Sequence, residues 1–239
     1  MHRPKGRCFS RSLWVYSQYG KLETALAYFG DTGPEDHTLK EKGEPVSMGK
    51  PLLVIVNGLP GTGKTTLARR LAADVPLPVF SRDGMFETLY DALECQSNGC
   101  PPLMGHTAYT LLYYVTGSIL AAGQSLVIEA FFGNSELRTA DLLRLQHAAD
   151  FEPLQIVCRA DGRVLVERFL ARMEDVERHI GHSDPQWIEQ NKERLLQGQL
   201  TPLALDGPII EIDTTTPDNF DYADLLGRVR VALSNTQTD

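Results

Sequence analysis

The chain has 239 residues and a mass of 26.5 kDa, with 42% apolar and 23% charged side chains. These are the proportions of an ordinary globular protein rather than a disordered, collagenous or disulfide-framed one. Its 23 basic against 31 acidic groups leave a net charge of −8, which argues against a generic duplex-nucleic-acid binder because phosphate contacts need a basic face.

No apolar run approaches the roughly 18 residues of a membrane-spanning helix, so no membrane partner is expected. The cysteines Cys8, Cys95, Cys100 and Cys158 are few and irregularly spaced, and read as reduced thiols of a cytoplasmic protein. At the start of the chain Lys5, Lys21, Lys40, Lys42 and Lys50 crowd together, while only Lys64 and Lys192 follow. The first 48 residues carry 7 basic and 6 acidic groups, a balance of +1, and the rest carries 16 and 25, a balance of −9. The expected organisation is a poorly ordered extension over 1–48 followed by one α/β domain over 49–239. Two sharper readings of the extension are Met48 as the true start and a transit peptide. The second rests on Arg3, Lys5, Arg7 and Arg11, which precede the first acid, Glu23.

From Pro51 onward short apolar runs alternate with amphipathic stretches. Leu52-Leu53-Val54-Ile55-Val56 is apolar throughout and largely β-branched; the runs at 125–128, 154–158 and 209–212 are mostly apolar, and Pro78-Val79-Phe80 is a weaker candidate. Uninterrupted apolar character marks strands buried on both faces. Helical patterning is expected over 63–74, 84–94, 106–122, 134–148, 162–178, 185–197 and 219–233. Alternating strands and helices predict a doubly wound, mainly parallel five-stranded sheet flanked by helices.

The first strand runs into Gly58-Leu59-Pro60-Gly61-Thr62-Gly63-Lys64-Thr65 and then Thr66. This fits G-x-x-x-x-G-K-[ST] in full, with a strand before it and a helix after it. The glycines let successive backbone N–H groups turn inward onto polyphosphate oxygens, and the helix N-terminus adds partial positive charge. Lys64 supplies a cation at the β/γ-phosphates, and the Thr65 hydroxyl is a magnesium ligand. A dinucleotide fingerprint is excluded because Thr66 stands where its third glycine would be.

Asp83, in Ser81-Arg82-Asp83-Gly84, follows the second strand directly, and in doubly wound sheets ligands gather beyond the carboxyl ends of the strands. Its carboxylate suits a general base for an acceptor hydroxyl. The same position suits a helix N-cap, and position alone does not separate the two.

The P-loop followed about twenty residues later by Ser81-Arg82-Asp83 resembles the small-kinase branch of P-loop proteins. That branch contains polynucleotide 5′-kinase, chloramphenicol phosphotransferase and zeta-toxin-like kinases, and bacterial members grouped as AAA-family ATPases without the ring machinery of AAA+ motors. The resemblance implies a kinase-type P-loop fold with a helical lid, ATP as the nucleotide and Asp83 as general base. At the next positions, where the family often has a basic residue for a phosphorylated acceptor, this chain has Met85 and Phe86. A small-molecule hydroxyl acceptor is therefore expected ahead of a nucleic acid.

Leu126-Val127-Ile128-Glu129 is apolar and ends in an acid, so Glu129 is a candidate for the magnesium site or the acceptor. The resemblance continues through Ala130 to Arg138, since family members follow this strand with a short linker and an arginine. The run from Arg168 to His182 occupies the lid position and makes Arg172 and Arg178 candidates for the moving phosphoryl group. His179 and His182 lack further ligands at metal-binding spacing. Thr214 to Thr216 follow the fifth strand, where this fold flanks the adenine. The Cys95-to-Pro102 segment reads as a mobile acceptor-side loop. The reading is thus an ATP- and Mg²⁺-dependent phosphotransferase. Two alternatives stay open: a nucleotide-dependent ATPase or switch without an acceptor, and a polynucleotide 5′-hydroxyl kinase.

Overall fold

The computed structural model describes residues 49–133, 135–216 and 219–236. The extension over 1–48, with Cys8 and the proposed start at Met48, lies outside the described residues. So does Asn134, the first residue of one expected helix.

Five strands form one sheet: β1 Leu52–Gly58, β2 Val79–Ser81, β3 Leu126–Ala130, β4 Glu152–Arg159 and β5 Ile209–Asp213. Their order is β2-β3-β1-β4-β5 and every neighbouring pair is parallel, so the mainly parallel sheet of the sequence reading is parallel throughout. The helices are α1 Lys64–Asp74, α2 Arg82–Ala92, α3 Cys95–Asn98, α4 Met104–Ala121, α5 Ser135–Ala149, α6 Gly162–Met173, α7 Asp184–Leu196 and α8 Tyr222–Asn235.

All seven residues of β1 are buried, and its side chains alternate between two cores. Leu52, Val54 and Val56 pack with Leu67 and Leu71 of α1 and Leu225 and Val229 of α8. Leu53 and Ile55 face the other way, onto Leu112 and Leu120 of α4 and Leu142 and Leu145 of α5. Helices on both faces explain why this strand is apolar without alternation. A third, smaller core joins Leu59 of the P-loop to Leu165 and Phe169 of α6 and Leu195 of α7, seating the α6–α7 pair over the carboxyl edge of the sheet.

The expected helix over 162–178 stops at Met173. Beyond it the Asp175 carboxylate accepts the Glu177 N–H at 2.9 Å, a local turn that competes with helix continuation. The charged run around Glu174 to Arg178 gives no sign of this in its composition. The Cys95-to-Pro102 segment is also not wholly irregular: it contains α3, and Cys95 is buried with its sulfur 3.6 Å from that of Met104.

Candidate active site

The P-loop joins β1 to α1, and its shape follows from a few backbone demands. A Cβ on Gly58 would lie 2.6 Å from Thr62 Oγ1 and 2.8 Å from the Cys158 carbonyl, so only glycine permits β1 to pass this close to β4. Gly63 caps α1 at φ 74°, a left-handed conformation that a side chain would strain. The Thr62 hydroxyl and N–H both donate to the Leu59 carbonyl, at 2.8 and 3.2 Å. Thr62 therefore closes the loop on itself, and Leu59, fully buried, anchors the loop in the third core. Pro60 faces the cleft, Thr65 is half-buried and Thr66 is exposed.

Lys64 is buried, with its Nζ 3.6 Å from Oε1 of Glu129. Glu129 stands opposite Val56 of β1 and Ser81 of β2 in the sheet register, which sets it between the P-loop and the residues following β2. It is 2% exposed, and its Oε2 makes no hydrogen bond. A buried carboxylate oxygen without a partner, on the strand next to the P-loop strand, suits magnesium, which keeps several waters and takes one or two protein oxygens. Among the described residues no group of three or more His, Cys, Asp or Glu side chains could hold a metal ion. His179 and His182 instead each meet a carboxylate of α2: Asp91 at 3.1 Å and Glu87 at 2.7 Å.

Asp83 lies in the first turn of α2, whose N-cap is Ser81, with its hydroxyl accepting the Gly84 N–H at 3.3 Å. The capping role that competed for Asp83 is thus taken by Ser81, and the carboxylate opens into a cleft shared with Lys64. Burial pushes the Asp83 carboxyl upward, but the Lys64 charge, the charge and hydrogen bond of Arg82, and the His182 charge together hold it below the usual carboxylate range. Arg82 donates to Asp83 Oδ1 at 3.0 Å and to the Gly105 carbonyl at 3.2 Å, while its Nε has no partner.

The cleft has a volume of about 390 Å³ and also receives Arg172 of α6, Arg178 and Asp184 at the lid, and Arg138 of α5. The two lid arginines differ. Arg178 forms a bidentate pair with Asp184, at 2.6 and 2.9 Å. Arg172 only approaches Asp184, at 3.7 Å, and its buried Nε makes no hydrogen bond. Burial, then the neighbouring Arg178 charge, shifts the Arg172 guanidinium below its ordinary value, and a desolvated cation of this kind gains most from an incoming anion.

Thr214 is not in this cleft. Its N–H and hydroxyl both go to the Arg159 carbonyl, at 2.8 and 3.0 Å. Its carbonyl, with that of Thr215, accepts from Arg168 at 2.9 and 3.0 Å, and the same guanidinium donates to the Gly61 carbonyl at 3.2 Å. Arg168 therefore ties the P-loop to the segment after β5. The sequence reading did not single it out, although it lies four residues before Arg172, one helical turn away on the same helix. It also missed Trp187, which stacks on Phe169 at 5.1 Å between ring centroids, and Arg194, which donates to the Gly133 carbonyl. Both line the cleft. Nothing in their local sequence marks them, because α7 reaches the cleft only through its packing on α6.

A parallel sheet of this order, with a phosphate-binding loop after β1, a lysine and carboxylates converging on one cleft, and a helical pair above it, defines a P-loop nucleotide-binding protein of the kinase-like type. The family model described as an AAA domain matches residues 53–194, and the chain belongs to that P-loop family. Among solved structures it is similar to a candidate kinase of Chloroflexus aurantiacus, with 35% identity and a TM-score of 0.67 over 80% of this chain and 100% of that one. It is also similar in fold to Kti12 of Chaetomium thermophilum, solved in complex with ADP-AlF3, with 19% identity and a TM-score of 0.55 over 78% of this chain and 100% of that one. No curated protein matches the chain in sequence comparison.

Proposed function

We propose that the protein is an ATP-dependent phosphotransferase that moves the γ-phosphoryl group onto a hydroxyl of a small molecule. The observation that carries this reading is the convergence of Lys64 and Asp83 on one cleft, from the loops after β1 and β2. A loop that only binds nucleotide does not require the second.

In this reading the backbone N–H groups of Gly61 to Thr65 and the Lys64 ammonium hold the β- and γ-phosphates. Thr65 and Glu129 would hold magnesium, which neutralises charge on those oxygens when bound. Asp83 accepts a hydrogen bond from the acceptor hydroxyl and fixes its direction of attack. A carboxylate held below its usual range is a weak base, which suits a transition state in which the proton leaves late and positioning dominates. Arg172, with its unpartnered Nε, would meet the transferring group from the lid side, and closure of α6–α7 would exclude water. Arg168 and the segment Thr214 to Thr216 would border the base of the nucleotide, with the Thr214 hydroxyl already committed to Arg159. A cleft of about 390 Å³ is at the small end of ligand pockets, roughly 300–1,000 Å³, which favours a small acceptor over a polynucleotide.

The test is transfer of labelled phosphate from ATP onto pooled metabolites, nucleosides, antibiotics and oligonucleotides. Lys64→Ala is expected to lose nucleotide binding. Asp83→Asn is expected to bind nucleotide and lose about 10²–10⁴-fold in transfer. Slow hydrolysis that no pool stimulates would replace the kinase by an ATPase or switch, and transfer to oligonucleotides alone would make it an end-processing enzyme.

A further inference from the structure

The run Arg178-His179-Ile180-Gly181-His182 lies in the turn between α6 and α7, and both of its imidazoles meet α2. Helix α2 presents Phe86 and Glu87 to that turn and, four residues later on the same face, Tyr90 and Asp91. His182 Nε2 donates to Glu87 Oε1 at 2.7 Å, with its ring centroid 5.6 Å from that of Phe86. His179 Nε2 donates to Asp91 Oδ1 at 3.1 Å, and its ring meets that of Tyr90 edge-on at 5.3 Å. Gly181 permits the approach, because a Cβ there would lie 2.7 Å from the Tyr90 ring.

The two histidines are not equivalent. The Gly181 N–H donates to His179 Nδ1 at 3.1 Å, so that nitrogen carries the lone pair and the ring proton sits on Nε2, facing Asp91. A second proton on His179 would have to displace the Gly181 bond. His182 is under no such constraint: its Nε2 faces Glu87, and no described residue hydrogen-bonds its Nδ1. Its side chain is 10% exposed and lines the cleft. The charged groups around it are Glu87, Asp83 and Arg82 on α2, Arg178 and Asp184 at its own turn, Arg172 on α6 and Lys64 across the cleft. Arg178 is paired with Asp184 and Arg82 with Asp83, whereas the one ion-pair partner of Glu87 among the described residues is His182. The His182 charge is also among the influences that hold the Asp83 carboxyl low.

We propose that His182 is a positioning residue of this cleft: paired with Glu87, its protonated ring seats the α6–α7 turn on α2 beside Asp83, and the seat loosens as the proton leaves. This rests on the kinase reading and adds a control on its lid, since Arg172 and Arg178 enter the cleft from the end of α6 and from that turn. Histidine changes charge between about pH 5 and 8, so the seating follows pH in that range. The carboxylate fixes the sign. At the acid end the contact is an ion pair, and at the alkaline end a neutral ring donates to Glu87, a bond roughly half as strong. His179, with Nδ1 committed to Gly181, adds a docking contact without the pH response.

The experiment reads the fluorescence of Trp187, which follows His182 in the chain at the start of α7. Trp14, the other tryptophan of the chain, is replaced by Phe in the parent protein and in every variant. Emission of the full chain, free of nucleotide, is titrated from about pH 5 to 9. The expected result is one transition in the histidine range, kept in His179→Gln and lost in His182→Gln, which retains a donor for Glu87 but cannot take a charge. Glu87→Gln should move the midpoint to lower pH, because the protonated ring loses its counter-charge, and it carries the comparison if His182→Gln does not fold. Turnover of ATP with Mg²⁺, with water or the labelled-phosphate pools as acceptor, is the second readout. There His182→Gln should lose about tenfold in kcat on the acid side of the transition, with the KM for ATP little changed, and should no longer lose rate as pH rises through it.

No transition in the parent protein, a transition that survives His182→Gln, or an unaltered pH profile of turnover in that variant would overturn the inference while leaving the kinase reading intact. The expected fluorescence transition without hydrolysis or transfer in any pool would remove the kinase reading, and the positioning role with it.

Discussion

Two arginines six residues apart can look interchangeable in a sequence and meet different partners in a cleft. Arg178 is bound through two nitrogens to Asp184, whereas Arg172 has a buried, unpartnered Nε. Arg178→Ala leaves Asp184, 10% exposed in its side chain, without its main partner, and should cost about 1–3 kcal/mol of stability. Arg172→Ala should unfold at nearly the wild-type denaturant midpoint but lose about 10²-fold or more in kcat. Denaturation curves and steady-state kinetics on the two variants check this, and a reversed ranking would contradict the assignment. At Asp83 the lowered carboxyl pKa has a definite sign. The group stays ionised to lower pH when folded than when unfolded, so its contribution to stability is present above the unfolded value and lost as pH falls through the folded one. The acid limb of kcat/KM should therefore lie below the ordinary carboxylate range near 4. Removing the Arg82 charge and hydrogen bond in Arg82→Gln should move that limb to higher pH; an unmoved limb would show that Asp83 does not set it.

Among the elements, the P-loop is held from two directions. Leu59 sinks into the α6–α7 core, and Arg168 links the Gly61 carbonyl to those of Thr214 and Thr215. With three acceptors from two loops on one guanidinium, Arg168 ties the P-loop to the segment after β5. Arg168→Ala is expected to weaken nucleotide binding about tenfold or more, at roughly 1.5–3 kcal/mol for hydrogen bonds to a charged group, with Arg168→Lys recovering little because an ammonium cannot span both loops. Equilibrium titration with a fluorescent ATP analogue measures it. At the far end of the lid, His179 and His182 meet Asp91 and Glu87 of α2. The 174–182 turn is thereby brought against the helix that begins with Arg82 and Asp83.

At the scale of the whole domain, stability and chemistry occupy different layers. Leu225 of α8 is 1% exposed, in the core opposite α4 and α5, so Leu225→Ala should cost about 2–5 kcal/mol while leaving transfer per folded molecule unchanged. The strand–helix alternation and the apolar runs were legible because strands buried on both faces and amphipathic helices have distinct periodicities. The P-loop was legible because phosphate binding by backbone N–H groups requires a contiguous, glycine-rich segment with one lysine. Hence the sheet and the loop could be placed by chain position alone, whereas Asp83 needed the structure, which gives the cap to Ser81 and the cleft to Asp83. The end of α6 at Met173 could not, since a side-chain turn at Asp175 overrides helical composition locally. The division of labour between Arg172 and Arg178, the clamp at Arg168, the approach of Trp187 and Arg194, and the contacts of His179 and His182 with α2 each join residues from different elements. Linear sequence determined the nucleotide cradle because its parts are neighbours in the chain. Only the folded structure decided the rest of the cleft lining, because there charge and aromatic surface meet across helices that no spacing rule connects.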